Sequence, residues 1–432
     1  MSAGMVRLSP ASLHRSLQEP VLGSIGFLNE VMSRHPDAIS FAPGAPHPAF
    51  LDDLDTGHCT DRFLDHLVER GRTRRQARRL LVEYGPSRGI INELVSHALR
   101  RDQDIAVTPE SVVITVGAQE AMLLVLRALF RSASEQVLAV ANPCFVGITG
   151  AAHMLDIPLL PVSETRDGID VEALEAACRN ARRSGRHLRA CYVAADFSNP
   201  GGGRMALECR HRLLELAERE DFLVLEDNAY GFTAAGGDEL PPLKALDGGR
   251  RVVHIGTFAK VCFPGARVGY VVADQQVGDG SRLLADDLAA LKTMVTVNTS
   301  PLSQAVIGGM LIEHGGSLRE LSRHKSQLYR RNLDRLLTAL DFHLPDGRAA
   351  GIHWNRPEGG FFVRLHLPVP ADDDLLEKSA AKYGVLWTPM APFYLDGSGD
   401  RQLRLSCSYL DPEQIDTGMR RLAAFLQKEI IR

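Results

Sequence analysis

The chain has 432 residues, of which 45% are hydrophobic and 24% are charged, and its formal net charge is −4. This composition is that of a globular protein, so it excludes a disordered chain, and the slight acidity argues against a nucleic-acid partner. The length exceeds what one hydrophobic core usually supports, so we expect two unequal lobes with a cleft between them.

The N-terminus has no apolar segment of the kind found in signal peptides, and no stretch reaches the roughly 18 apolar residues that span a bilayer. Seven cysteines are scattered along the chain without CxxC spacing. We therefore expect reduced thiols, no metal site, no membrane partner and a cytoplasmic location.

Helical and strand-like segments alternate from about residue 88 onward. Seven apolar runs predict strands: VVIT (112–115), QVLAVA (136–141), IPLLPV (157–162), LRACYVAA (188–195), FLVLED (222–227), RVVHIG (251–256) and VGYVVA (268–273). Helical periodicity lies between most of them. This alternation predicts an α/β fold with a mostly parallel seven-stranded sheet, helices on both faces and ligands beyond the carboxyl ends of the strands.

The pattern changes after about residue 300. A long helical stretch over 317–340 is followed by strand-like segments and a capped amphipathic helix over 411–430, which together predict a smaller α+β lobe. We predict three parts: an N-terminal arm with part of the small domain (1–50), a large domain that contains the sheet (51–320) and a C-terminal small domain (321–432). The basic run ERGRTRRQARR (69–79) is interpreted as a solvated helix face, with its arginines outside the cleft.

The most specific segment is GTFAKVCFPGARVGY (256–270), where the lone Lys260 follows an apolar strand among small and apolar residues. An isolated lysine is more often a surface residue, but a desolvated amine with a lowered pKa is what Schiff-base chemistry needs. Thr257 and Arg267 have spacings that could bring a hydroxyl and a guanidinium onto a phosphate. The segment resembles the SxSKxxxPGxRxG signature of the class I/II aminotransferases, which are fold type I transferases.

This resemblance implies that the cofactor is pyridoxal 5'-phosphate (PLP), with Lys260 as its Schiff-base lysine and Thr257 and Arg267 on its phosphate. In FLVLEDNAYGF, Asp227 and Tyr230 match the family's DxAY pattern. They are implied to be the partner of the pyridine nitrogen and a neighbour of the phenolic oxygen. Asn199 in DFSNPGGG matches the NPxG element and is implied to donate to that oxygen and to contact substrate.

Further motifs match the family in order. ITVGAQEAM runs from a strand into a helix, so the backbone N–H groups of Gly117, Ala118 and Gln119 face an anion at the helix start, where the family has its phosphate cup. NPCFVG places Phe145 where the family stacks an aromatic residue on the cofactor ring.

Three residues outside these motifs are implied to complete the site. Tyr84 in VEYGPSRG resembles the tyrosine that reaches the phosphate of a neighbouring subunit, which implies a homodimer with composite sites. Arg404 in QLRLSCS resembles the arginine that binds the substrate α-carboxylate. Gly44, in ISFAPGAPHP, lies in the segment that closes over the substrate.

The resemblance covers roughly residues 20 to 430 and, within the class, is most similar to the (S)-3,5-dihydroxyphenylglycine transaminase group of actinomycete secondary metabolism. It implies transfer of an amino group between an amino acid and a 2-oxo acid. Racemisation, β/γ-elimination or replacement, and carbon–carbon bond formation by the same cofactor stay open. Three features leave these other reactions open: Phe145 in place of tyrosine, Ser198 before Asn199, and the three glycines at 201–203.

Overall fold

A computed structural model describes residues 6–131, 135–234, 239–345, 347 and 350–431, without the side chains of 22–28. The strands are β1 (Ile39–Ser40), β2 (Val112–Thr115), β3 (Gln136–Asn142), β4 (Leu159–Thr165), β5 (Gly168–Ile169), β6 (His187–Val193), β7 (Leu223–Asp227), β8 (Val252–Thr257), β9 (Gly269–Val272), β10 (Gln276–Val277), β11 (Arg282–Leu283), β12 (His353–Trp354), β13 (Phe362–His366), β14 (Val385–Leu386), β15 (Thr388–Pro389) and β16 (Gln402–Ser406). The α-helices are α1 (Pro20–Arg34), α2 (Ala49–Asp52), α3 (Thr56–Glu69), α4 (Arg74–Val82), α5 (Asn92–Gln103), α6 (Gly117–Leu129), α7 (Val146–Met154), α8 (Val171–Arg183), α9 (Leu207–Glu220), α10 (Leu243–Leu246), α11 (Leu284–Val295), α12 (Pro301–Glu313), α13 (Leu318–His343), α14 (Asp373–Tyr383) and α15 (Pro412–Glu429).

The large sheet has the order β2-β9-β8-β7-β6-β3-β4-β5. Neighbours from β8 through β4 pair in parallel, whereas β9 is antiparallel to both β2 and β8. The predicted mostly parallel sheet of seven strands is confirmed. The two-residue strand β5 adds an eighth, antiparallel strand at the edge next to β4.

Both faces of this sheet are covered because successive side chains of a strand point to opposite sides. In β3, Leu138 and Val140 pack in the core formed with α6, α7 and α11. Val137 and Ala139 of the same strand pack in the core formed with α8 and α9 on the opposite face. Continuous apolar runs therefore form strands here, as is typical of buried parallel sheets.

A second, antiparallel sheet has the order β12-β13-β16-β15 and packs on α13 and α15 around the fully buried Trp387. The short parallel pair of β1 with β14 attaches the N-terminal segment to this part of the chain. Arg404 of β16 lies opposite Arg364 of β13 on one side and Thr388 of β15 on the other. The register thus fixes the position of Arg404 in the middle of the sheet. The boundaries at residues 50 and 320 stay predictions.

The basic run corresponds largely to α4. Thr73 is the N-cap of this helix and forms a capping box with Gln76. Arg74, which is half-buried, pairs with the exposed carboxylates of Asp61 and Asp65 of α3. Arg74 therefore serves to attach α4 to α3. Within the described part of the chain, no helix is long and apolar enough to cross a membrane.

Candidate active site

Lys260 lies in the turn that follows β8, at the carboxyl edge of the large sheet. Its amino group donates a hydrogen bond to the carbonyl oxygen of Gly44 and lies 5.7 Å from the ring centre of Tyr230 and 6.0 Å from that of Phe361. Burial, and after it the positive charge of Arg404, lower the pKa of Lys260 to about 8; Asp227 opposes this shift, and Arg267 adds a smaller lowering effect. The amine is therefore available as a base and nucleophile near neutral pH.

Asp227 is the last residue of β7, and its buried carboxylate accepts two hydrogen bonds. The hydroxyl of Tyr192, on the neighbouring strand β6, donates to Oδ2 at 2.6 Å, and the backbone N–H of Ala229 donates to Oδ1 at 3.1 Å. Burial raises the pKa of Asp227, and the Tyr192 hydrogen bond is the largest effect opposing that rise. Tyr192 was not among the residues predicted for the site.

Asn199 connects the large sheet to the small one. Its side-chain oxygen accepts a hydrogen bond from Arg404, and its side chain also hydrogen-bonds to the hydroxyl of Tyr230. Burial raises the pKa of Tyr230, so this hydroxyl stays protonated. Tyr230 in turn packs edge-on against Phe361 and Phe362, at ring-centre distances of 5.2 and 5.6 Å.

The Arg404 guanidinium is buried and held from several sides. It donates to Asn199, to the carbonyl oxygen of Ala42 at 3.0 Å and to the hydroxyl of Thr388 at 3.3 Å. Its carbon lies 4.2 Å from the ring centre of Phe362 and 5.3 Å from that of Phe393. Burial lowers its pKa to about 10, so it stays charged at neutral pH. Its Nε is buried without a hydrogen-bond partner among the described residues.

The start of α6 faces the Arg267 guanidinium. Gly117 has φ +72°, and a Cβ there would lie 2.6 Å from an Arg267 nitrogen. Gly269 is equally constrained, because its Cβ would lie 2.8 Å from the backbone nitrogen of Ala118. Both glycines let the guanidinium and the free N–H groups of the helix start come together, which is an arrangement suited to an anion.

A buried ion pair fixes this helix start from behind. Lys292, fully buried on α11, donates to the Glu120 carboxylate at 2.6 Å, and Thr296 donates to the other oxygen at 2.6 Å. The same carboxylate accepts the backbone N–H of Val116 at 2.6 Å. The turn that precedes α6 is thus attached to the end of α11.

A cavity of about 530 Å³ opens next to Arg404 and Asn199. Phe145, Phe393 and Leu376 contribute to its apolar walls, and the polar side chains of Asn29 and of residues 372–374 lie on its lining as well. An apolar wall with a few convergent polar groups is typical of small-molecule sites.

The other predicted residues are placed as follows. The hydroxyl of Thr257 accepts a hydrogen bond from the backbone N–H of Ala259 at 3.2 Å. The side chain of Gln119 donates to the carbonyl oxygen of Gly147 at 2.8 Å, so only its backbone can face an anion at the helix start. Tyr84 stands apart from the cleft residues, with 90% of its surface exposed.

These residues fit the cofactor that the sequence resemblance implies. They combine an amine with a pKa of about 8, a buried carboxylate and a guanidinium beside a helix start. Among the described residues the buried Nε of Arg404 has no partner, which leaves a donor for a substrate carboxylate. Among the described residues, no three His, Cys, Asp or Glu side chains converge in a way that could hold a metal ion.

Tyr192, Thr388 and Lys292 were missed because the family elements named above do not include them, and Glu120 was missed because its segment was considered only for the backbone N–H groups of 117–119. One signal was available for Tyr192. A tyrosine inside the apolar run LRACYVAA has to bury its hydroxyl, and a buried hydroxyl needs a partner.

Comparison with known proteins gives a consistent result. The family model described as aminotransferase class I and II matches residues 53–422. An (S)-3,5-dihydroxyphenylglycine transaminase of Amycolatopsis orientalis is 47% identical over 421 residues, which cover 97% of this chain and 95% of the relative. The crystal structure of an archaeal alanine:glyoxylate aminotransferase matches with a TM-score of 0.82 at 26% identity, covering 97% of this chain and 99% of that one. Pyrococcus horikoshii kynurenine aminotransferase, in complex with PMP, matches with a TM-score of 0.78 at 27% identity, covering 98% and 96%.

Proposed function

The chain belongs to the class I and II aminotransferases, and from this premise we propose that its amino donor is an arylglycine, an amino acid whose α-carbon carries an aromatic ring. It is a PLP-dependent fold type I transaminase, which moves an amino group between an amino acid and a 2-oxo acid. The choice of substrate rests on the apolar cavity beside Arg404. The 47% identical relative, an (S)-3,5-dihydroxyphenylglycine transaminase, supports the same choice.

The cavity suits an aromatic ring held by its carboxylate. With the α-carboxylate on Arg404, the side chain of the substrate extends between Phe145 and Phe393, whose rings offer faces and edges for aromatic packing. The polar groups at Asn29 and residues 372–374 can accept hydrogen bonds from ring hydroxyls. We propose that the enzyme serves secondary-metabolite biosynthesis, where hydroxylated arylglycines are building blocks.

When bound, PLP supplies an aldehyde that condenses with amines and a pyridine ring that withdraws electrons from the substrate α-carbon. We propose that the neutral Nζ of Lys260 removes the proton from this carbon and delivers it to the product side. The Asp227 carboxylate keeps a proton on the ring nitrogen. The Asn199 oxygen accepts from Arg404 and its side chain also hydrogen-bonds to Tyr230, so one amide N–H would remain to donate to the phenolic oxygen, beside Tyr230. Arg267, Thr257 and the N–H groups of 117–119 would hold the phosphate, and Phe145 would pack on the ring.

The test is a panel of amino acids mixed with the PLP-loaded protein. (S)-3,5-Dihydroxyphenylglycine, (S)-phenylglycine, phenylalanine, 2-aminoadipate and alanine are compared by absorption spectroscopy and by mass spectrometry of the products. We expect the arylglycines to give the highest kcat/KM, with formation of pyridoxamine phosphate and an aryl-2-oxo acid. A preference for 2-aminoadipate or alanine would contradict the proposed substrate. A racemised, eliminated or coupled product without pyridoxamine phosphate would favour the other PLP chemistries.

We propose that the active form is a homodimer. A patch of exposed apolar side chains lies at the end of α4, the end of α11 and the start of α12: Val82, Tyr84, Met294, Val295, Val297 and Leu302. Its parts adjoin, because Ser87 hydrogen-bonds to Thr293 at 2.8 Å and Gly85 lies beside Pro301. Exposed apolar patches of this kind mark protein–protein contacts. In the dimer, Tyr84 reaches the phosphate of the second copy.

Sedimentation velocity tests the dimer. Met294→Asp places a charge in the patch and is expected to shift the protein toward the monomer, whereas Phe342→Asp, at an equally exposed apolar residue on α13, is expected to leave the dimer intact. A wild-type protein that sediments as a monomer at micromolar concentration would contradict the proposal.

We also propose a cytoplasmic location. All seven cysteines lie within the described residues, and each carries a free thiol, as is typical of a reducing compartment. Fractionation of the source cells tests this, and recovery of the enzyme outside the cytoplasm would contradict it.

A further inference from the structure

We propose that Tyr192 is a positioning residue that holds the Asp227 carboxylate ionised and oriented toward the ring nitrogen of PLP. This inference rests on the proposed role of Asp227 in the aminotransferase reaction. The supporting geometry is the hydrogen bond of 2.6 Å from the Tyr192 hydroxyl to Oδ2 of Asp227, between two buried side chains on adjacent strands.

The two hydrogen bonds to Asp227 come from different directions and fix the plane of its carboxylate. Tyr192 donates to Oδ2, and the N–H of Ala229 donates to Oδ1. An ionised carboxylate has about four acceptor positions, so positions remain on both oxygens. A ring N–H can therefore be accepted without displacing either donor, whereas without Tyr192 the carboxylate keeps only the Ala229 N–H and can turn about its side-chain torsion.

The charge of Asp227 depends on a small set of neighbours. Burial favours the neutral acid and raises its pKa, and the Tyr192 hydrogen bond is the strongest opposing effect, ahead of the Ala229 N–H, His254 and Lys260. Burial also raises the pKa of the nearby Cys144 thiol, which adds no charge. A neutral Asp227 cannot retain a proton on the ring nitrogen, so the electron-withdrawing power of the cofactor depends on the tyrosine hydroxyl.

The adjacent carboxylate, Glu226, is occupied by other groups. It accepts hydrogen bonds from the backbone N–H groups of Leu243 and Lys244 and lies 2.8 Å from His254 on β8. Burial opposes its ionisation, but these contacts lower the pKa of Glu226 overall. The Glu226 carboxylate thus bonds to groups other than Asp227 and its donors. Within the described residues, Tyr192 is the side-chain hydrogen-bond donor to Asp227.

Tyr192 also packs in the core with residues of α6 and α7, so the test has to separate its ring from its hydroxyl. Tyr192→Phe keeps the ring and removes only the donor. Tyr270→Phe is the matched control, because Tyr270 is another buried tyrosine of the same sheet, on β9. Circular dichroism and thermal melting check that both variants fold.

The discriminating measurement is cofactor affinity, with two cofactors. Apo forms of the wild type and both variants are titrated with PLP and with its carba analogue, in which carbon replaces the ring nitrogen. We expect Tyr192→Phe to weaken PLP binding by roughly 10- to 100-fold, the range for a hydrogen bond to a charged group, and to change analogue binding by less than about 3-fold. Tyr270→Phe is expected to leave the ratio of the two affinities unchanged.

A second readout is the pH titration of the visible absorption of the lysine-bound cofactor. Loss of the ring-nitrogen proton removes a positive charge from the ring, so the pKa of the lysine–cofactor nitrogen is expected to rise in Tyr192→Phe. Equal weakening for PLP and the analogue, or no weakening with an unshifted titration, would overturn the inference. A wild-type chain that binds no PLP would instead overturn the proposed function.

Discussion

The free amine of Lys260 offers a direct test of the electrostatics of the cleft. With a pKa of about 8, roughly a quarter of the Lys260 side chains carry a neutral amine at pH 7.5. A lysine with the ordinary value of 10.5 would have about 0.1%. The structure therefore predicts an enrichment of reactive amine on the order of 200-fold, caused first by burial and then by the positive charges of Arg404 and Arg267.

Carbamylation by cyanate measures the fraction of neutral amine at Lys260, because the reagent is small and reacts with neutral amines. The apo protein is treated briefly over a range of pH, and the extent of reaction at each lysine is read by peptide mass spectrometry. Lys382, an exposed lysine of α14, provides the internal reference. The rate at Lys260 is expected to rise with pH and level off above about pH 8. A rate that keeps rising in parallel with that of Lys382 beyond pH 9 would refute the reasoning.

Further predictions concern charge and burial. Folding lowers the pKa of Lys260, so between about pH 8 and 10.5 the unfolded chain binds more protons than the folded one. The free energy of unfolding of the apo form is therefore expected to rise with pH in this range, by at most ~3 kcal/mol. In urea titrations, Lys260→Met should flatten this dependence on pH. Arg404→Met should lower kcat/KM for amino acids by about 100-fold, since the substrate carboxylate loses its cation, and unchanged steady-state kinetics would argue against this role. Arg210→Met should destabilise the fold by about 3–5 kcal/mol in urea because it leaves the Asp196 carboxylate buried without its partner at 2.6 Å, and Arg210→Met with Asp196→Asn should recover part of that loss.

The large sheet was predictable because its strands are apolar on both faces and are separated by amphipathic helices. Other elements carried no such pattern. The helix α12 is apolar around most of its circumference, so no amphipathic period marks it. Its Gly309 allows a close crossing with α3, since a Cβ there would lie 1.8 Å from the carbonyl oxygen of Cys59. Such a contact joins residues 250 positions apart, and no local pattern records it.

The residues of the site also divide into those that a local sequence motif marks and those that only the folded structure brings together. Motif residues such as Asp227 and Arg404 could be named because each sits in a recognisable local pattern, and the structure brings Lys260, Asp227, Asn199 and Arg404 to one cleft. Their roles stay proposals. The partner of the Tyr192 hydroxyl could not be predicted, because it depends on the pairing of β6 with β7. This pairing places Tyr192 across from Leu225 and within reach of Asp227.

The pair of Glu120 and Lys292 has a consequence for how this sequence can change over time. Either substitution alone leaves one charge enclosed in the protein interior, a change that costs several kcal/mol and distorts the turn before α6. Lineages can lose the pair only by exchanging both residues together or by passing through a weakened ancestor. The two positions, separated by 172 residues in the sequence, are therefore expected to change together, and a survey of natural variants should find them covarying.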